Sequence, residues 1–120
     1  MLTMNEDLGG ALKHYLALMD AAEYYDAHEV LEEAWHPLRL GKDPLANLAK
    51  GLINAAVSFE HIKRHRENYA AKARKVMVSY ERHKHLCREG IIHYELFASA
   101  CRKTEMLKQQ HREVFDVLVS

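Results

Sequence analysis

Apolar residues recur at intervals of three and four along most of this chain, which is the spacing of one face of an α-helix. Two stretches of this kind precede a cluster of turn residues, two longer ones follow it, and the C-terminal part is helical by propensity. The five predicted helical stretches are residues 8–22, 24–35, 45–65, 67–89 and 91–119. The pattern therefore predicts an all-α fold, a single compact bundle of four to five helices that is largely up-and-down.

Helix-breaking residues are concentrated at one place in the sequence. Pro37, Gly41 and Pro44 form this cluster and predict a loop near residues 37–44. Asp43 is then expected to cap the following helix, with Pro44 at its first position, where the missing N–H of proline does no harm.

Three further boundaries depend on weaker signals. Residues 20–23 are either a turn or continuous helix, and in the first case Asp20 is expected to cap the second helix. Gly90 stands where a C-cap glycine would end the fourth helix. A break in the last helix is expected near Lys103 and Thr104.

Composition narrows the class of protein. The 120 residues are 48% hydrophobic and 28% charged, with only 5 glycines and 2 prolines, which is typical of one globular domain over residues 1–120 and not of a disordered or hairpin-rich chain. No apolar run approaches the length of a membrane span, and residues 1–10 lack the layout of a signal peptide. Two cysteines, Cys87 and Cys101, indicate reduced thiols, so a cytoplasmic location without membrane association is expected.

The net charge of zero conceals a separation of charge along the chain. Residues 1–60 contain 4 Lys/Arg and 10 Asp/Glu, whereas residues 61–90 contain 9 and 3. This separation favours acidic and basic helices that complement one another, either within the monomer or between two copies, and a homodimer is the expected assembly. The basic run 63–66 is compatible with an anionic ligand or an RNA face, but a solvated helix surface is the more common outcome, and a nucleic-acid partner is not expected.

The densest set of polar side chains lies in residues 24–35. His28 and Glu32 are four residues apart and therefore lie on one side of a helix, where the carboxylate can orient the imidazole and raise its pKa. On the third predicted helix, Asn54 and His61 share a flank with Lys50. If these two helices are antiparallel neighbours, two imidazoles and a carboxylate meet around one point.

Such a set supports two interpretations. His28, Glu32 and His61 are a two-histidine, one-carboxylate set that suits Zn or Fe(II), although Glu32 stands where an HExxH zinc motif needs its second histidine. The structural alternative is a hydrogen-bonded network that joins two helices, with Trp35 in the core. Gly51 favours close helix packing, because a glycine inside a helix costs about 1 kcal/mol.

A family resemblance rests on two motifs. Residues 24–35 carry an aromatic pair, an acidic residue, Ala-His-Glu-Val-Leu-Glu and a tryptophan, and residues 51–54 read Gly-Leu-Ile-Asn ahead of His61. This arrangement resembles the domain-of-unknown-function family 309 over roughly residues 8–97, with an extra C-terminal helix at about 91–119. Asn54 replaces the usual glutamine, and residues 64–68 replace an Arg-Gly-Asn turn with a charged segment. The polar and aromatic side chains that match the family are His28, Glu29, Glu32, Trp35, Asn54 and His61.

The resemblance implies a small all-helical prokaryotic bundle with no established activity. The first functional hypothesis is a non-enzymatic interaction or ligand-binding domain with a His/Glu cluster between two helices. The alternative is a metal-dependent or acid–base enzyme, hydrolase-like, in which His28 is the base or a ligand, Glu32 its partner and His61 lies opposite. The sequence decides neither the ligand nor the substrate.

Overall fold

Five helices of 13 to 20 residues and one of four make up most of residues 7–116, the part of the chain that the computed structural model describes. The helices are α1 Leu8–Asp20, α2 Tyr24–Leu40, α3 Leu45–Arg64, α4 Tyr69–His83, α5 Tyr94–Gln110 and α6 Arg112–Phe115, and a 3-10 turn, Lys84–Leu86, follows α4. No strand occurs within these residues, so the predicted all-α bundle is confirmed.

Helix α3 is the centre of the bundle, and α2 and α4 pack on it. The start of α2 meets the end of α3, where the rings of Tyr24 and Phe59 are 5.8 Å apart. The later part of α2 meets the beginning of α3, where the Lys50 ammonium lies 4.4 Å from the centre of the Trp35 ring. Helices α2 and α3 therefore run antiparallel, as the short loop between them requires.

Hydrogen bonds within the core join helices that are distant in the sequence. The Tyr15 hydroxyl of α1 donates to the Leu52 carbonyl of α3 at 2.8 Å, and the Ser58 hydroxyl of α3 donates to the Ala73 carbonyl of α4 at 2.7 Å. Complete burial raises the pKa of Tyr15 far above its ordinary value, so its hydroxyl keeps its proton and acts as a donor. Buried polar groups satisfied in this way hold the helices in one register.

The expected loop near residues 37–44 is wrong in its first half, because α2 continues through Pro37 to Leu40. A proline inside a helix loses its own N–H bond. In α2 this loss falls in the final turn, and the Gly41 N–H still donates to the Pro37 carbonyl at 3.0 Å. The N-cap of the next helix is Pro44 and not Asp43, and Leu45 is its first residue, so the expected cap is displaced by one residue. The Asp43 side chain still accepts a hydrogen bond from the Leu45 N–H at 2.9 Å.

The structure decides two uncertain boundaries, one at the end of α1 and one within α5. Asp20 is the last residue of α1 and does not cap α2; its carboxylate lies 3.1 Å from the Lys103 ammonium of α5. The expected break near Lys103 and Thr104 is wrong, because α5 is continuous there and the Thr104 hydroxyl donates to the Ala100 carbonyl at 2.9 Å. The chain breaks at His111 instead, and the expected helix end at residue 119 lies outside the described residues.

The fourth helix is shorter than the expected 67–89. It begins at Tyr69 and ends at His83, and irregular chain from Cys87 to His93 leads to α5. Gly90 therefore is not a helix C-cap. It does adopt the left-handed conformation typical of that position, with φ at 102°, but within the connection.

No helix within residues 7–116 combines the length and apolarity that crossing a membrane requires.

Candidate functional site

Most of the polar residues singled out by spacing lie along the line where α2 and α3 meet. Two rows with spacings of three and four face each other there, and we call this surface the α2–α3 seam. It consists of Tyr25, His28, Glu32 and Trp35 on α2 and Lys50, Asn54, His61 and Arg64 on α3. Tyr25 and Arg64 are exposed, and the other six are half-buried.

Contacts between side chains tie the two ends of the seam. At one end the Arg64 guanidinium lies 5.5 Å from the centre of the Tyr25 ring. At the other, the Lys50 ammonium lies 3.7 Å from a Glu32 carboxylate oxygen. This ion pair is about one-third exposed, so it contributes little to the free energy of folding. Because both ends are fixed, His28 lies opposite the stretch 54–61 of α3.

His28 is held by the backbone of its own helix. Its Nδ1 forms a hydrogen bond with the Tyr25 carbonyl, and its ring packs edge-on against the Tyr25 ring with centroids 4.8 Å apart. A carbonyl oxygen can only accept, so Nδ1 carries the proton. In the neutral ring Nε2 is then an acceptor, free to bind a donor or a metal ion.

Asn54 and His61 have unused hydrogen-bonding groups. Within residues 7–116, neither side chain has a hydrogen-bond partner, although both are half-buried. Burial lowers the pKa of His61, and the nearby cations Lys72 and Arg64 lower it further, with only Glu60 acting in the opposite direction. His61 is therefore neutral near pH 7. The expected polar network of mutually bonded side chains does not form between these residues.

Of the two remaining candidate pocket residues, Glu29 lines a cleft and Trp35 packs against the outside of the main core. Trp35 is half-buried outside the main core, with Lys50 at 4.4 Å on its ring and the Arg39 guanidinium at 5.2 Å. Such cation–π contacts use the ring face that a flat ligand would need. Glu29 is exposed and points to an adjacent cleft of about 260 Å³, which it shares with Glu32, Glu33 and His36.

A metal site receives no support from the arrangement of side chains. In the described part of the chain, no group of three or more His, Cys, Asp or Glu side chains is placed to hold a metal ion. Neither His28 nor His61 lines any of four clefts of about 260 to 460 Å³ in the described part of the chain. The seam is thus an open surface with polar groups and not an enclosed reaction chamber.

Sequence reasoning missed two groupings. Cys87 and Cys101 line the same cleft of about 420 Å³, although their spacing in the sequence does not match a CxxC motif. Burial raises the pKa of both thiols, that of Cys101 to about 12. The second grouping is the largest of the four clefts, about 460 Å³, where the α1–α2 turn meets the end of α3. In the sequence, only the basic run 63–66 indicated this cleft.

Comparison with known proteins gives a family and no further relative. The sequence model of the family described as "Domain of unknown function (DUF309)" matches residues 12–73. The chain therefore belongs to the DUF309 family. This match contains both the His28 motif of α2 and the Gly51 motif of α3, so the two sides of the seam lie within the family region. No curated protein and no solved structure matches the chain.

Proposed function

We propose that this protein is a small binding domain and that the α2–α3 seam is its recognition surface. The observation that carries the proposal is the unused hydrogen-bonding capacity, within residues 7–116, of His28 Nε2, Asn54 and His61, three half-buried residues of the seam. Within residues 7–116 no side-chain nitrogen or oxygen is both buried and without a hydrogen-bond partner, so these three groups are accessible to water. A partner that supplies hydrogen bonds along the seam would replace that water.

The partner is a donor-rich, positively charged segment of another protein. His28 Nε2 accepts a hydrogen bond, and Glu32 carries a negative charge beside it, so the α2 side of the seam favours cationic donors. The adjacent cleft adds the carboxylates of Glu29 and Glu33. A guanidinium group fits this surface because its planar fork can bond to a carboxylate and an imidazole nitrogen together.

A peptide titration tests this proposal. We expect acetyl-Arg-Gly-Arg-amide, added to isotope-labelled protein, to shift the NMR signals of the Asn54 side-chain amide and the His28 ring in a saturable way. Glu32→Gln should weaken binding about tenfold, because a charge-assisted hydrogen bond is lost. Glu89→Gln, which removes an exposed carboxylate outside the seam, is the matched control. Equal weakening by both variants would contradict a specific surface.

No specific observation favours the alternative that the protein is an enzyme. Acid–base or metal-dependent catalysis by His28, Glu32 and His61 needs a site that excludes water around the three side chains. The seam is open, and its ends are occupied by the contacts of Lys50 and Arg64.

A cytoplasmic location is part of the binding proposal and is supported by the free thiols Cys87 and Cys101.

Self-association is a second candidate, because the two charged faces of the molecule are not used against each other. Helix α2 carries four carboxylates and one arginine, and α4 carries four Lys/Arg and one glutamate, yet both pack on α3. Within residues 7–116, no ion pair involves Asp26 or Glu29 of α2, nor Lys72, Lys75 or Arg82 of α4, and all five are exposed. We propose that α2 of one copy docks on α4 of another.

Charge reversal tests the docking of copies. Sedimentation velocity should show self-association at about 50 mM salt and its loss at about 500 mM, where charges are screened within a few ångströms. Glu29→Lys and Lys75→Glu should each prevent association alone. A mixture of the two variants should form a heterodimer, because one then has a more basic α2 and the other a more acidic α4. A monomer at every salt concentration would contradict this assembly.

A further inference from the structure

The largest of the four clefts lies at the end of the bundle and is lined by none of the residues of the seam. We call it the turn-end cavity; its volume is about 460 Å³ and it opens between the α1–α2 turn, the end of α3 and the α5–α6 junction. Its principal lining residues are Tyr24, Phe59, Ile62, Lys63, His65 and His111. A volume of this size falls within the range of about 300–1,000 Å³ that is usual for small-molecule sites.

The inner wall of the turn-end cavity is aromatic and apolar. Phe59 is 1% exposed, and its ring lies 5.8 Å from that of Tyr24 and 5.9 Å from that of Phe115. Ile62 completes this wall. Rings at these separations and tilts make the edge and offset contacts that a further flat ring can join.

The rim of the turn-end cavity is basic. The Lys63 ammonium donates one hydrogen bond to the Ala22 carbonyl at 2.8 Å and has two more N–H groups to offer. Within residues 7–116 Lys63 forms no ion pair, so its charge is not neutralised by a neighbouring carboxylate. His65 and His111 add imidazole donors. Among the described lining residues Glu113 is the one carboxylate, and it lies 3.6 Å from the His111 ring.

The Tyr24 hydroxyl opens into the same cavity and has no hydrogen-bond partner in the described part of the chain. The residue as a whole is only 9% exposed, but no side-chain oxygen within residues 7–116 is both buried and without a partner, so the hydroxyl is a part of Tyr24 that solvent reaches. Burial raises the pKa of Tyr24, with a further contribution from Glu60, so the hydroxyl keeps its proton. A protonated, unpartnered phenol donates to an anion or to water that enters the cavity.

We propose that the turn-end cavity binds a small aromatic carboxylate. The ring lies against Tyr24 and Phe59, and the carboxylate accepts hydrogen bonds from Lys63 and the Tyr24 hydroxyl. The site selects for both the ring and the carboxylate of such a ligand. The apolar wall by itself would accept any hydrophobic fragment, and the basic rim by itself would accept any anion. This site is separate from the seam, so it stands or falls independently of the proposed function.

Three probe molecules separate these contributions. Isotope-labelled protein is titrated with sodium benzoate, sodium acetate and benzyl alcohol at constant ionic strength, and the NMR signals of the lining residues are followed. We expect benzoate to give saturable shifts at Phe59, Ile62 and Tyr24, and acetate and benzyl alcohol to bind at least about tenfold more weakly. Equal binding of benzoate and acetate, or no saturable shift with benzoate, would overturn the proposal.

Variants then identify the binding groups. Lys63→Met should weaken benzoate binding about tenfold, Lys63→Arg should restore most of it, and Tyr24→Phe, which keeps the ring, should weaken it several-fold. Lys42→Met removes an exposed cation from the connection between α2 and α3, outside the cavity, and should leave binding unchanged. Because Lys63→Met also loses the bond to Ala22, its folded state is checked by its amide spectrum. Binding that Lys63→Met and Tyr24→Phe leave unchanged would place benzoate elsewhere.

Discussion

A Cβ atom built on Gly51 of α3 would lie 3.0 Å from the Cα atom of Tyr80 in α4, closer than side chains normally approach a backbone. The Ser79 carbonyl oxygen would lie 3.3 Å away on the same side. The absence of a side chain at residue 51 thus lets the two helices touch. This contact explains why a glycine is present in the middle of a 20-residue helix.

Gly51→Ala should destabilise the protein even though alanine is the better helix former. The helix gains about 1 kcal/mol, but overpacking against a rigid backbone costs about 1–3 kcal/mol, so the expected net loss is about 1 kcal/mol. Thermal unfolding should show a melting temperature about 4 °C lower. Gly41→Ala is the matched control, since a Cβ there meets its nearest atom, the Pro37 carbonyl oxygen, at an ordinary 3.4 Å. A Gly51→Ala variant as stable as the parent would contradict the close contact.

The pKa of His61 should lie below the ordinary value of histidine. Burial lowers this pKa most, and Lys72 and Arg64 lower it further. An NMR titration of the ring should therefore give a midpoint below 6.5. Lys72→Met should raise that midpoint because a repulsive charge is removed, whereas Lys75→Met, which changes a cation that does not act on His61, should not. A midpoint that Lys72→Met leaves unchanged would contradict the contribution of Lys72 to this pKa.

The same pKa links His61 to stability. Because the folded pKa is lower than the unfolded one, the unfolded chain takes up a proton first as the pH falls. The free energy of unfolding should therefore decrease as the pH falls below 6.5 and level off once the folded-state pKa is passed. His61→Gln should lack this component of the pH profile. Denaturant unfolding of both proteins across this range measures the difference.

Cys87 and Cys101 should be unreactive in the folded protein. Only the thiolate attacks a thiol reagent, and with a pKa of about 12, Cys101 is almost entirely protonated at neutral pH. Iodoacetamide at about pH 8 should modify both cysteines slowly in the native protein and rapidly in concentrated guanidinium chloride. Mass spectrometry of the alkylated protein counts the modified thiols. Rapid alkylation of Cys101 in the native state would contradict its burial.

The candidate seam was accessible to sequence reasoning because its two rows are local patterns. His28 and Glu32 are one helical turn apart, and so are Lys50 and Asn54, so a spacing of four residues alone assigns each pair to one side of its helix. The short loop between α2 and α3 then makes the helices antiparallel neighbours. The spacing does not predict whether these side chains form hydrogen bonds with one another. In the structure, Asn54 and His61 do not form hydrogen bonds with His28.

Helix ends were harder to predict than helices. Pro37 was expected to end α2 and lies inside it, and Gly90 was expected to cap α4 and lies seven residues beyond its end. A breaker residue marks a place where a helix can stop, but the hydrogen bonds available to the last carbonyls decide where it does stop. In α2 those bonds come from residues 41–43, after the proline.

The sequence by itself determined the helical class, the family and the residue types on each helix face, because these depend on periodicity and composition over neighbouring residues. Only the tertiary structure brought Cys87 to Cys101, and Lys63 to His111 at the turn-end cavity. These partners come from separate helices and connections, and their meeting depends on how each turn directs the following helix. Packing of the whole chain decides the direction of each helix, and a local pattern of residues does not predict that direction.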